Sequence, residues 1–257
     1  MSDRTTPARS IPAEGIGMHL YTMREALAAD YPGTLQRLAE IGYRTIGVSG
    51  RFGHSAEEIR SYADAAGLEI VLEHVGYPRL TDDWEGALAD VRTLGGQWVV
   101  VPSLPAELRT PDGFREAARA FATAGQLAKK EGLKLLFHNH GHDFAEVGGQ
   151  VLFDILLDEV EPELLGFELD LYWVVDGGRD PADYFRGHPG RFPALHVKDM
   201  AADGSFADVG TGRLDFAAIF AEAESGGVRQ WLVEHDAPVD EWESARTSYR
   251  ALAELRY

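Results

Sequence analysis

The chain contains no cysteine. That excludes disulfides and thiolate ligands, so any metal must be held by nitrogen and oxygen. It also fits a reducing cytoplasm, the expected location. No apolar run approaches the roughly 18 residues of a membrane span, so none is expected. Basic residues are scarce: 24 Lys and Arg stand against 42 Asp and Glu, a formal net charge of −18. Nucleic acid and anionic membrane are therefore poor partners, and the plain reading of the charge is a soluble acidic surface. The first residues, Met1 to Pro12, lack the apolar segment of a secretory signal. They read as a disordered leader (1–12), which places the folded unit at 13–257.

Against these absences, eight short apolar runs recur along the chain: Ile16–Leu20, Thr45–Val48, Glu69–His74, Trp98–Val101, Lys134–Phe137, Leu165–Leu169, Ala194–Val197 and Trp231–Glu234. Helical patterns separate them. Tyr31–Ile41 puts Leu35, Leu38, Ala39 and Ile41 roughly on one face. Ser55 is an N-cap for Ala56–Ala66, Glu58 completes a capping box, and Gly67 ends the helix as a C-cap. Thr110-Pro111 opens a long Ala-rich helix, which Gly132 stops. Eight β-α units in 257 residues predict a single-domain α/β fold, a (β/α)8 TIM barrel. The runner-up, an open doubly wound sheet, lacks the Gly-rich phosphate fingerprint after its first strand. No linker or low-complexity tract marks a second domain.

The candidate chemistry sits where the apolar runs stop. Leu135-Leu136-Phe137-His138-Asn139-His140 ends in imidazoles; Leu169 leads into Asp170, Leu195 into His196, and Val233 into Glu234. If these runs are neighbouring parallel strands, a His/Asp/His/Glu cluster forms at their carboxyl ends, the catalytic end of such barrels and a site for a divalent metal. His19, Tyr21 and His74 follow or end earlier strands. Side chains alternate along a strand, so His138 pairs with His140, His196 with Lys198, and Glu234 with Asp236. That is more ligands than one metal needs, leaving some to bind substrate or move protons.

The segments Gly17-Met18-His19-Leu20-Tyr21-Thr22-Met23-Arg24, Glu40-Ile41-Gly42-Tyr43, Phe137-His138-Asn139-His140, Asp170-Leu171-Tyr172-Trp173, His196-Val197-Lys198-Asp199, Val209-Gly210-Thr211-Gly212 and Val233-Glu234-His235-Asp236 together resemble the sugar phosphate isomerase/epimerase family of xylose-isomerase-like barrels, in its His-Asn-His branch. The resemblance runs from about Gly15 to the C-terminus. It implies a barrel, a divalent metal (manganese first, cobalt or zinc next) and a keto-sugar or polyol-like substrate. It also implies metal ligands at His138, Asp170, His196 and Glu234. Four positions depart from the family pattern. His138 stands where sugar epimerases have glutamate, His19 where relatives have glutamine, Gly47 where many have glutamate, and Asp143 where the His-Asn-His branch often has glutamate.

The chemistry follows from the groups. A metal polarises a sugar carbonyl and acidifies the neighbouring C–H, and a carboxylate or imidazole takes the proton. Glu234 and His74 are the candidate catalytic acid/bases, and Lys198 stabilises developing oxyanion charge. His19, Tyr21, His140 and Trp173 are candidate substrate contacts. The plain alternatives are a salt bridge from Lys198 to Asp199 or another acid, a bond from His74 to a loop carbonyl, and simple packing for Trp173. Asp208 and Asp215 read as turn and N-cap residues. Reprotonation gives isomerisation or epimerisation; loss of a β-substituent gives dehydration or glycoside elimination, as in inosose dehydratases and the barrel subunits of C-glycoside-cleaving enzymes. A non-catalytic sugar-binding barrel, a homo-oligomer and a barrel completed by a partner subunit are the remaining classes, together with hydrolysis of abasic DNA, which the charge opposes.

Overall fold

The computed structural model describes residues 9–257. Eight parallel strands close into a barrel: β1 Ile16–His19, β2 Thr45–Val48, β3 Glu69–His74, β4 Trp98–Val101, β5 Lys134–His138, β6 Leu165–Asp170, β7 Ala194–Val197 and β8 Gln230–Val233. Each strand pairs with its neighbours in the sequence, and β1 closes on β8 through Ile16–Trp231, Gly17–Leu232 and Met18–Val233. This is the predicted (β/α)8 barrel. The strands fall on the predicted apolar runs, with ends displaced by one residue at β1, β5, β6 and β8.

Local rules place the helices between them. Tyr31–Ile41 is a helix whose N-cap Asp30 accepts from the Gly33 N–H. Ser55 and Glu58 form the expected reciprocal capping box, and Gly67, at φ 71°, ends that helix in the left-handed region. Thr110 caps the helix Pro111–Lys130, and Asp215 caps Phe216–Ala221. Apolar faces of these helices pack against the outward residues of the strands, such as Val99, Leu135, Phe137, Phe167, Leu195 and Val233. The inward residues form a separate apolar cluster that includes Leu72, Trp98, Val100, Leu136, Ala194 and Leu232. This plug fills the lower barrel and supports whatever stands above it.

The leader differs from expectation at its end. Residues 1–8 lie outside the described part of the chain. Arg9 pairs through its backbone with Tyr257, at 2.7 and 3.0 Å, and Ile11 is buried in the core. Residues 9–12 are thus tied to the C-terminal end of the chain, a non-local pairing that polarity alone does not reveal. Among the described residues, no helix is long and apolar enough to cross a membrane.

Candidate active site

Alternation carries the inward face of each strand from the apolar plug to its carboxyl end. Two residues beyond Leu72, Leu136, Ala194 and Leu232 stand His74, His138, His196 and Glu234. From β1 comes His19. Its ring centroid lies 4.3 Å from those of both His74 and His196, and the His138 ring lies 4.4 Å from His196. Gly47 on β2 makes this crowding possible. A Cβ there would sit 3.0 Å from His19 Cδ2 and 2.9 Å from Leu72 Cδ1. A side chain at 47 would therefore press on His19 and Leu72.

Above this layer is a cavity of about 440 Å³ lined by His19, Tyr21, Ser49, His74, Pro102, Ser103, His138, His140, Lys198, Glu234 and Asp236. Its size suits a small ligand. Asp170 and His196 lie fully buried beneath it. Asn139 points away from the cavity and clamps the end of β6: its side-chain amide exchanges hydrogen bonds with the Asp170 backbone at 3.2 and 2.9 Å. Asp170 Oδ1 accepts from the Trp173 N–H, which leaves Oδ2 directed at the site.

Three of the four expected ligands, His138, Asp170 and His196, bring ligand atoms within 4.8 Å of one another, and His19, His74 and His196 form a second such group. Glu234 lies outside both groups. It contacts His19 Nδ1 at 2.7 Å, His196 Nδ1 at 2.9 Å and Lys198 Nζ at 2.7 Å. The donor set fits a divalent cation on a structural criterion. His19 Nε2 and His138 Nδ1 are buried without a hydrogen-bond partner, while Asp170 Oδ2 and the two His196 nitrogens meet only charged groups, Lys198 at 3.0 Å, Glu234 at 2.9 Å and Glu168 at 3.0 Å. Buried polar atoms are rarely left in that state. Nitrogen and carboxylate oxygen together suit manganese, cobalt or zinc.

Lys198 makes its salt bridges with other acids than Asp199. Its ammonium is held by Asp170 at 3.0 Å, Glu234 at 2.7 Å and Asp236 at 2.8 Å. Burial would lower its pKa, but these three carboxylates outweigh burial and raise it. Asp199 serves the following loop instead, accepting from the backbone N–H groups of Met200, Gly210, Gly212 and Leu214. That loop carries Phe206, which packs on Tyr172 at 4.6 Å and which the sequence reading missed. Trp173 does not line the cavity. It backs His140, with ring centroids 5.6 Å apart, and lies 5.5 Å from Lys198 Nζ, so packing is its observed role. Tyr21 stands at the rim, 42% exposed, with the Arg24 guanidinium stacked on its ring.

The residue missed by sequence reasoning at the centre of the site is Glu168. It lies on β6, two residues before Asp170, and is fully buried. His74 Nε2 lies 2.6 Å from its Oε2, so its partner is a carboxylate and not the loop carbonyl of the plain alternative. His196 Nε2 is 3.0 Å from its Oε1 and His138 Nδ1 is 3.8 Å from Oε2. The available signal was a charged residue inside an apolar run, on the same face as Asp170.

The electrostatics are divided. Burial lowers His19 to about 4 and His138 well below the usual imidazole value, so the His19–Glu234 contact joins a neutral ring to a carboxylate. Burial and Lys198 lower His140 to about 3. For His196, burial would lower the pKa, but Glu168 and Glu234 outweigh it and raise it to about 10. Burial would raise Glu168, yet His196 and His74 hold it below the ordinary carboxylate range. Asp170 is raised by burial to about 6, against the pull of Lys198 and His196.

The sequence signature of the family described as xylose isomerase-like TIM barrel matches residues 35–255. An inosose dehydratase of Geobacillus kaustophilus is 22% identical over 260 residues, covering 85% of this chain and 81% of that one. The inosose dehydratase of Clostridium tetani matches over 142 residues at 23% identity, 48% of this chain and 47% of that one. Among solved structures, a sugar phosphate isomerase/epimerase from Parabacteroides distasonis superposes with a TM-score of 0.83 at 25% identity, over 97% of both chains. The IolI protein, crystallised with a bound zinc atom, superposes with a TM-score of 0.74 at 15% identity over 92% of this chain and 96% of that one.

Proposed function

This chain belongs to the xylose isomerase-like TIM-barrel family, and from that premise we propose that it is a metal-dependent enzyme that removes a proton beside the carbonyl of a keto-sugar or keto-cyclitol. The observation that carries this reading is the convergence of His138, Asp170 and His196 beneath a sugar-sized cavity, where His19 Nε2 and His138 Nδ1 are buried without a hydrogen-bond partner. His138, Asp170 and His196 hold the ion in this proposal, with Glu234 joining once it leaves its contacts to Lys198 and His196. Manganese is the first choice, with cobalt and zinc next. When bound, the ion supplies Lewis-acid polarisation of the substrate carbonyl.

The chain's own residues supply the rest. His74, on the wall and hydrogen-bonded to Glu168, takes the proton. Lys198, fixed by three carboxylates, places positive charge where oxygen becomes negative. His140 and His19 bind hydroxyls, and Tyr21 closes the rim. Among the cavity-lining residues Lys198 is the one Lys or Arg, and it is fully engaged. That supports an unphosphorylated substrate.

Isomerisation or epimerisation follows if the proton returns to carbon. A specific observation favours a second reading, β-elimination, as in a dehydratase or a glycoside lyase acting on a 3-keto sugar. The strand-five position facing Glu234 holds His138, so the site has no matched pair of carboxylates at these two positions. The inosose dehydratase relatives point the same way. The test is solvent deuterium exchange with manganese added, over a panel of keto-hexoses, inososes and 3-keto glycosides. Deuterium beside the carbonyl supports the reading, and an unsaturated product identifies elimination. No exchange by metal-loaded protein across the panel leaves a sugar-binding barrel.

A further inference from the structure

The cavity has two unlike sides. The ends of β5 to β8 bring the proposed ion ligands and Lys198, while β2 and β4 lead into Ser49, Pro102 and Ser103. In the closed order of strands, β2 lies opposite β6, which ends in Asp170, and β4 lies opposite β8, which leads into Glu234. His74 stands on β3, between the two serines. Other hydroxyls around the barrel are engaged within the chain: Thr22 accepts from the His235 N–H, Ser248 from Val209 and Ser55 from Glu58. Ser49 and Ser103 make no such bond among the described residues, and both are half-buried on the cavity wall.

The loops that carry them are held firmly. Arg51, two residues beyond Ser49, meets both oxygens of the buried Glu73 at 2.7 and 2.8 Å and Asp90 at 3.0 Å. Between Gly50 and Gly53, at φ 88° and 87°, Phe52 has φ 50° and is the one non-glycine residue at positive φ among the described residues. A bulky side chain rarely adopts that conformation. Such strain persists where the surroundings over-determine it, and it gathers at ligand sites. Ser103 lies between Pro102 and the buried Leu104, with Pro105 beyond, so its backbone has little freedom.

We propose that Ser49 and Ser103 are specificity-determining residues that bind ring hydroxyls of the substrate, with Arg51 as the positioning residue that fixes Ser49. The inference rests on the reading of this cavity as a keto-sugar site. The carbonyl is drawn to the ion on one side, so the hydroxyls that reach the serines are on carbons remote from it. The substrate class is a keto ring that keeps free hydroxyls on those carbons, as a keto-cyclitol does.

The test compares an inosose with its analogues deoxygenated at the remote carbons. Binding is measured by calorimetry on wild type, Ser49→Ala, Ser103→Ala and Arg51→Met, each with and without manganese. Wild type is expected to bind the inosose about 3–10-fold more tightly than the analogues. Each serine variant loses the discrimination against one analogue, while its affinity for that analogue stays at the wild-type level. Arg51→Met loses the same discrimination as Ser49→Ala and keeps that of Ser103.

Equal wild-type affinity for the inosose and its analogues overturns the assignment. So do serine variants that weaken inosose and analogue alike, because that is the mark of a distorted cavity. Wild type that binds no inosose in either metal state overturns it too. Failure of the proton-abstraction reading shows separately, as no deuterium exchange while the discrimination persists.

Discussion

Leu136 and His138 face the same barrel interior two residues apart, yet they belong to regions of opposite chemistry. Below, Leu72, Trp98, Val100, Leu136, Ala194 and Leu232 form an apolar plug. Above, histidines, carboxylates and a lysine crowd together, several with buried atoms that lack a partner. The lower layer meets its packing requirements within the chain; the upper one does not. Stability and function are thus separated by one pleat of the sheet.

The comparison breaks hardest at Asp170. Asp170→Asn keeps the Trp173 cap through its carbonyl oxygen but gives up a charged ligand. Metal affinity is expected to drop by at least about 10²-fold, and turnover by about 10²–10³-fold, with melting temperature little changed. Metal-binding titration and thermal denaturation check it. His74→Gln comes next. Turnover is expected to fall about 10²-fold or more while metal content persists, a combination read by elemental analysis beside kinetics.

Leu136→Ala should show the converse. A cavity in the plug costs about 2–5 kcal/mol of stability, measured by denaturant unfolding, while metal affinity holds. If that variant loses metal as completely as Asp170→Asn, the two layers are not separable.

An effect confined to the pH dependence of stability belongs to Asp143, buried beside the site and raised by burial to about 7. The folded chain then binds a proton that the unfolded chain has already released between about pH 4 and pH 7. The stability linked to this group is full below pH 4 and is lost as pH rises through 7. Asp143→Asn keeps an acceptor for the His140 N–H, which Asp143 Oδ2 now engages at 2.8 Å. It should flatten that part of the pH–stability curve. A slope unchanged by the substitution assigns the effect to another group.

Much of this was legible in the sequence, and the reasons are physical. Strand ends could be read because ligand-type residues gather where the barrel opens to its cavity, so His138, Asp170, His196 and Glu234 mark where the apolar runs stop. Ser55, Thr110 and Asp215 are local caps, and local rules found them. Contacts between strands were not legible. Nothing in His196-Val197-Lys198-Asp199 says that Lys198 turns to Asp170, Glu234 and Asp236, or that Asp199 gathers four loop N–H groups. Glu168 was passed over because an apolar run was read as core throughout, although its spacing from Asp170 puts both on the inward face. For Trp173 the sequence left both substrate contact and packing open: whether an aromatic ring meets substrate or backs the residue that does depends on packing from Phe206, thirty-three positions away.

The measurement that bears most directly on the upper layer is metal content, by elemental analysis and titration of protein purified without a histidine tag. About one manganese, cobalt or zinc per chain, absent from Asp170→Asn and retained in Leu136→Ala, is the predicted result. A wild-type chain that contains no metal and takes none up on titration would contradict it.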